Sequence, residues 1–178
     1  MLEAPAGMAT RPTSDRLRET LFNVLAPRIE GARFLDLYAG SGAVGIEAVS
    51  RGAAQVEFVE RAAPALKVLR GNLSRLGIAS GVRVHSAAAS AFLRGTAPVA
   101  GFDIAFLDPP YDLADEYATA LGLLADAASG WLAETGMVIA EHRRKEHLED
   151  SYGVLKKARL LEQGDAALSF FNVRTNDE

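Results

Sequence analysis

The sequence predicts an α/β fold: a seven-stranded, Rossmann-like, doubly wound sheet, mostly parallel, with an antiparallel hairpin at its C-terminal edge. Three observations predict it. Short apolar runs alternate with segments of helical period, the pattern of right-handed βαβ units. A glycine-rich turn, GSGAVG at 40–45, follows the first apolar run and opens a helix. The last two apolar runs have no helix between them, so they pair as a hairpin.

Taken in order, Thr13-Ser14-Asp15 supplies N-cap side chains to a helix whose Leu17, Leu21, Val24 and Leu25 share one face, with Pro27 closing it. ARFLDLYA (32–39) is the first strand, and GAVGIEAVSRG (42–52) the helix that Gly52 ends. QVEFVE (55–60) is the second strand, followed by a helix at 64–76 that Gly77 terminates. VRVHS (82–86) is the third, with a short helix near 88–94 after it. FDIAFLD (102–108) is the fourth, and a helix near 114–128 leads to GMVIAEH (136–142), the fifth. Segments near 153–162 and at ALSFFNV (167–173) close the sheet. Residues 1–178 read as one domain, with 1–26 an N-terminal segment and helix ahead of the first strand. In such a sheet the ligand belongs beyond the carboxyl ends of the strands.

Composition narrows the function classes. The 178 residues contain no cysteine, which excludes disulfides and thiolate metal sites. No run reaches the roughly 18 apolar residues of a membrane span, and the N-terminus has no secretion-type apolar core. A cytoplasmic protein without membrane association is expected. A formal charge of −4 argues against broad, non-specific nucleic-acid binding but leaves room for a local basic face. Arg11, Arg16 and Arg18 are the candidates for phosphate contacts. The runs Arg143-Arg144-Lys145 and Lys156-Lys157-x-Arg159 read as solvated surface.

The first-strand motif is DLYAGSGAVGIE, with Gly40-x-Gly42-x-x-Gly45. Gly40 and Gly42 permit a tight turn, and Gly45 lets the helix approach the sheet. Glu60, twenty residues beyond Gly40, stands where a carboxylate accepts both hydroxyls of a ribose. Asp36, two residues ahead of Tyr38, would repel a pyrophosphate but attract an ammonium. S-adenosylmethionine carries an ammonium, a sulfonium and a ribose, and no phosphate. The set therefore favours that cofactor over NAD.

The fourth-strand motif is Asp108-Pro109-Pro110-Tyr111. Proline cannot donate to a ladder and fixes φ, so the strand stops with a carboxylate at its tip. An exocyclic amino group on a nucleobase is a poor nucleophile because its lone pair is delocalised into the ring. Accepting its two N–H hydrogens, one on Asp108 and one on the Pro109 carbonyl, aims that lone pair at a methyl carbon. Tyr111 offers a stacking surface worth about 1–3 kcal/mol per base. The chemistry is positioning and electrostatics and calls for no metal. The base must be unstacked to enter.

The ordered set TRPTSDRLRETLFNVL, FLDLYAGSGAVGIEAVSRG, VEFVE, DIAFLDPPYD, GMVIAEH and ALSFF resembles the RsmD family of 16S ribosomal RNA guanine-N2 methyltransferases, over nearly the whole chain. RPTSDRLRETLFN (11–23) is its most discriminating piece. The resemblance implies a class I methyltransferase fold of strand order 3-2-1-4-5-7-6 and S-adenosylmethionine as donor. It also implies one guanine of small-subunit rRNA as target, presented on a ribosomal particle, with no obligate protein partner. By motif position Asp36, Tyr38, Gly40, Gly42 and Glu60 are cofactor contacts, and Asp108 to Tyr111 form the catalytic loop.

Two departures stand out. Family members carry a basic, strand-rich segment ahead of the RPT motif, whereas this chain begins MLEAPAG, which predicts good cofactor binding with a weaker hold on rRNA. Many relatives place an aspartate after the third strand. Here Ala87, Ala88 and Ala89 stand instead, so adenine recognition falls to backbone amides and apolar contact near Ala88. His85, His142 and His147 lack metal-ligand spacing, and Trp131 is expected to pack between helix and fifth strand. Three other readings remain open at this level: a DNA adenine-N6 or cytosine-N4 methyltransferase, a non-catalytic cofactor-binding assembly factor, and an NAD-dependent reductase.

Overall fold

The computed structural model describes residues 2–3, 12–110 and 113–175. In chain order the elements are α1 (Pro12–Ile29), β1 (Arg33–Leu37), α2 (Ala43–Ser50), β2 (Gln55–Glu60), α3 (Ala63–Arg75), β3 (Val82–Ser86), α4 (Ala89–Leu93), β4 (Phe102–Leu107), α5 (Asp115–Leu124), β5 (Leu132–Arg143), β6 (Ser151–Tyr152), β7 (Leu155–Gln163) and β8 (Ala166–Val173). They build a sheet of order β3-β2-β1-β4-β5-β8-β7-β6. The five leading strands are parallel, and β8, β7 and β6 add antiparallel pairings.

The expectation of seven strands is corrected to eight. The extra strand is two residues long: Ser151 and Tyr152 pair with Lys156 and Leu155 across Gly153, whose φ of 47° makes the reversal. Without it the order reduces to the expected 3-2-1-4-5-7-6.

Strand parity divides the core into two layers. Phe34, Phe58, Ile104, Phe106, Ile139 and Phe170 face α1, α2 and α3. Leu35, Leu37, Val59, Leu107, Val138 and Ala140 face α4 and α5. Burial on both faces is what makes a parallel strand read as a continuous apolar run. Trp131 is buried between the Phe92 and Phe102 rings, and its indole N–H donates to the Leu93 carbonyl at 2.8 Å, as packing requires.

Several boundaries differ from the sequence reading; β5, for one, begins at Leu132 rather than Gly136. Helix α1 begins at Pro12, so Thr13, Ser14 and Asp15 fall in its first turn rather than capping it. Proline favours that first position because its missing N–H has no helical partner there. Pro27 does not close the helix. Buried Ile29 and a hydrogen bond from the Arg28 guanidinium to the Thr135 carbonyl hold the last turn beyond it. Helix α5 ends at Leu124, and a separate 3₁₀ turn at Ala127–Ser129 is capped by the Asp126 side chain. Among the described residues no helix is long and apolar enough to cross a membrane.

Candidate active site

The site lies at the carboxyl ends of β1, β2, β4 and β5, where the sheet reverses its strand order between β1 and β4. Four acidic residues converge there for one reason. Asp36, Glu60, Asp108 and Glu141 each stand two positions after Phe34, Phe58, Phe106 and Ile139, so parity gives all four the α1–α3 face. The pairs Leu37↔Leu107 and Leu107↔Ala140 bring the strand ends level.

The glycine turn is built as the sequence implies. Gly40 and Gly42 have φ of 57° and 83°, left-handed values that suit residues without a Cβ. Gly45 has ordinary φ but no room: a Cβ there would meet the Phe58 ring at 2.3 Å and Asp36 Oδ2 at 3.0 Å. Helix α2 can therefore press its first turn onto β2, and the Gly45 N–H donates to Asp36 Oδ2 at 2.9 Å. Asp36 is only 1% exposed. Burial, opposed by the Gly45 hydrogen bond and helped by the Glu60 charge, lifts its carboxyl to about 8.

Glu60 clamps the turn from the other side. Its Oε1 accepts the Gly40 N–H at 3.0 Å and its Oε2 the Ala62 N–H at 2.8 Å. Each oxygen keeps a second lone pair for a hydroxyl donor. Tyr38 is the one described non-glycine residue at positive φ, 59°, and its hydroxyl donates to Glu116 Oε2 on α5 at 2.6 Å. Burial first, then this bond and the Glu116 charge, push its phenol far above the usual range. Ala88 is the extended residue before α4, and its carbonyl accepts the Phe92 N–H. Asn72, 1% exposed, ties the turn to the N-terminal segment: its side-chain N–H₂ donates to the Ser41 and Glu3 carbonyls, while its oxygen accepts the Glu3 N–H.

Asp108 follows β4 directly. Pro109 is buried, Pro110 is exposed, and the Pro110 carbonyl accepts the Leu113 N–H at 3.0 Å, turning the chain towards α5. Desolvation, the neighbouring Glu141 carboxyl and then the Asp36 charge hold Asp108 well above the ordinary carboxylate range. Sequence reasoning passed over Glu141. The signal was there: two residues after Ile139, on the strand beside β4, parity and register place it against Asp108. Tyr117 on α5 fixes the Glu141 backbone, its hydroxyl donating to that carbonyl at 2.7 Å.

Other predicted groups fall around the rim or outside it. Arg11 and Tyr111 lie outside the described residues. The Thr20 hydroxyl reaches Gln163 at the far end of β7, so α1 starts on the site side of the sheet. Arg16 is exposed there, and Arg18 pairs with Asp15 at 3.3 Å. His142 is structural. Its Nδ1 bonds the Arg143 carbonyl, and its Nε2 meets Ser169 Oγ, each at 2.8 Å.

This sheet order, with a glycine turn after β1 and acidic groups at the ends of β1, β2 and β4, defines a class I methyltransferase fold. The profile of the family described as "Conserved hypothetical protein 95" matches residues 1–172. The chain belongs to that family, the RsmD family of rRNA methyltransferases. It is 37% identical to the Bacillus subtilis protein YlbH over 174 residues, covering 97% of this chain and 93% of that one. It is 42% identical to "Ribosomal RNA small subunit methyltransferase D" of Escherichia coli K12 over 144 residues, 79% of this chain and 68% of the relative. The solved structure of Escherichia coli yhhF superposes with a TM-score of 0.84 at 32% identity, over 98% of this chain and 92% of the other.

Proposed function

We propose that this chain transfers a methyl group from S-adenosylmethionine to the exocyclic N2 of a guanine in small-subunit rRNA, presented on a ribosomal particle in the cytoplasm. One observation carries the reading: Asp108 opens at the end of β4 beside the Asp36–glycine-turn–Glu60 cradle. An acceptor for amino hydrogens thus adjoins a site suited to an ammonium and a ribose. Membership of a family of rRNA methyltransferases, and a relative named for the ribosomal small subunit, support rRNA as the substrate class.

The residues present fit the cofactor. The Glu60 carboxylate at the turn would repel a pyrophosphate, whereas Asp36 can ionise against an ammonium and Glu60 can accept from a ribose diol. When bound, the cofactor supplies the methyl: a nitrogen–carbon bond forms as the sulfur–carbon bond breaks, and sulfur keeps the electron pair. The chain's own residues do the rest. Asp108 accepts one amino N–H and, on this reading, the Pro109 carbonyl accepts the other. Tyr111 stacks the unstacked base, and Arg11, Arg16 and Arg18 hold phosphates. The transferred group leaves one excess proton on nitrogen, which passes to Asp108 and on to water.

The test offers labelled cofactor with unmodified small subunits, naked rRNA and DNA, followed by digestion to nucleosides. Label is expected in N2-methylguanosine from small-subunit rRNA. Label in adenine or cytosine overturns the guanine assignment. Asp108→Ala is expected to keep cofactor affinity while transfer falls by at least about a hundredfold, the scale of losing a positioned electrostatic group.

A further inference from the structure

Asp108 and Glu141 are two acidic side chains in contact at the tips of adjacent parallel strands, with Leu107 paired to Ala140 just before them. Two bare carboxylates in contact repel strongly, so the arrangement holds together when one proton lies between them. Among the described residues, no cationic group figures in what shifts either carboxyl. Asp108's other ionisable neighbour is Asp36 on β1, also acidic. The residue paired with Glu141 on β8 is Leu168. His142, next on β5, faces away and is held neutral by burial. From α5, the Tyr117 hydroxyl is spent on the Glu141 backbone carbonyl.

We infer that Glu141 is a positioning residue for the proposed amino-methyl transfer, taking the shared proton so that Asp108 presents its negative charge to the substrate amino group. This rests on the reading of Asp108 as the amino-group acceptor. An arriving amino group donates N–H to Asp108, which favours its ionised form, and the proton moves across to Glu141. Glu141 then donates back to Asp108 and fixes its orientation. The pair carries one charge rather than two. After transfer the nitrogen sheds a proton, the pair takes it and becomes neutral, and loss of one proton to water restores the starting state. Atoms and charge balance without another reactant. Both carboxyls have raised affinity for protons, burial being the first cause in each.

Glutamine at 141 has the shape and donor of a protonated glutamate, so Glu141→Gln and Glu141→Ala separate the proton from bulk packing. In the wild-type full chain, kcat should fall on the alkaline side as the pair loses its shared proton. Glu141→Gln should keep kcat within about tenfold at neutral pH and lose that alkaline limb. Glu141→Ala should fall at least about tenfold further with cofactor Kd unmoved, the scale of a misplaced general acid–base group. Carbon-13 NMR of labelled aspartate, with no substrate present, gives a second readout. The Asp108 carboxyl should titrate at clearly lower pH in Glu141→Gln than in wild type. An alkaline limb identical in wild type and Glu141→Gln, or an Asp108 titration that does not move, overturns the inference. If Asp108→Ala still methylates, it is the reading of the site itself that fails.

Discussion

Asp36 combines two conflicting demands, burial under α2 and attraction of a cation. Burial raises its carboxyl to about 8, so near neutral pH the empty site holds Asp36 mostly protonated. A bound ammonium favours the ionised form, and binding must then expel a proton. By linkage, affinity rises with pH wherever the free protein holds more protons than the complex. Cofactor affinity should therefore increase from pH 6 to pH 7.5, by up to roughly tenfold per unit. Above that the ligand's own α-amino group begins to lose its charge. Titration calorimetry in buffers of different ionisation enthalpy would show the released proton. Equal Kd at pH 6 and 7.5 would remove Asp36 from the ammonium contact. Asp36→Asn should weaken binding and abolish the slope.

Helix α2 is set on β2 by one absent methyl group. The Phe58 ring occupies the space a Cβ on Gly45 would need, and Asp36 sits just beneath. Gly45→Ala must push the helix off the strand, an overpacking cost of about 1–3 kcal/mol. Thermal unfolding should shift down by several degrees, and cofactor affinity should drop because the Gly45 N–H leaves Asp36. An unshifted Tm would mean that the helix rides freely on the sheet. Much of this element was legible beforehand. The glycine spacing gave the turn, and the apolar runs gave the strands to within a few residues. Less legible were contacts that depend on register between strands distant in sequence. Asp108 announced itself through two prolines. Glu141 had no local mark, and only the β4–β5 alignment joins them. Pro27 misled because its helix-breaking tendency is local, whereas Ile29's burial is tertiary. The two-residue β6 lies below the length at which periodicity carries any signal.

Across the whole molecule, the fold concentrates its strain in one place. Both faces of the sheet are apolar, yet Asp36, Asp108 and Glu141 meet at one end, each with its proton affinity raised by burial. A group whose folded pKa lies above its unfolded value is protonated in both states at low pH. As pH rises past the unfolded value, only the unfolded chain ionises, so stability drains away until the folded pKa is passed. For Asp36 that window runs from the ordinary aspartate value of 3.8 to about 8. His142 acts oppositely, since burial lowers its pKa and stability gained through it grows as pH rises towards 6.5. Between pH 7 and 8 the histidine contribution is flat, and the acidic one is still falling. The ligand-free protein should thus lose Tm over that interval. Asp36→Asn can still accept the Gly45 N–H but never ionises. It should be more stable than wild type at pH 8 by about 2 kcal/mol, or roughly 4–8 °C, and by less at pH 5. Differential scanning calorimetry at the three pH values decides it. A variant less stable than wild type at pH 8 would show that the buried carboxylate contributes to the fold rather than opposing it. A more stable variant that no longer binds cofactor would make Asp36 a group retained at the expense of stability for the ligand it holds.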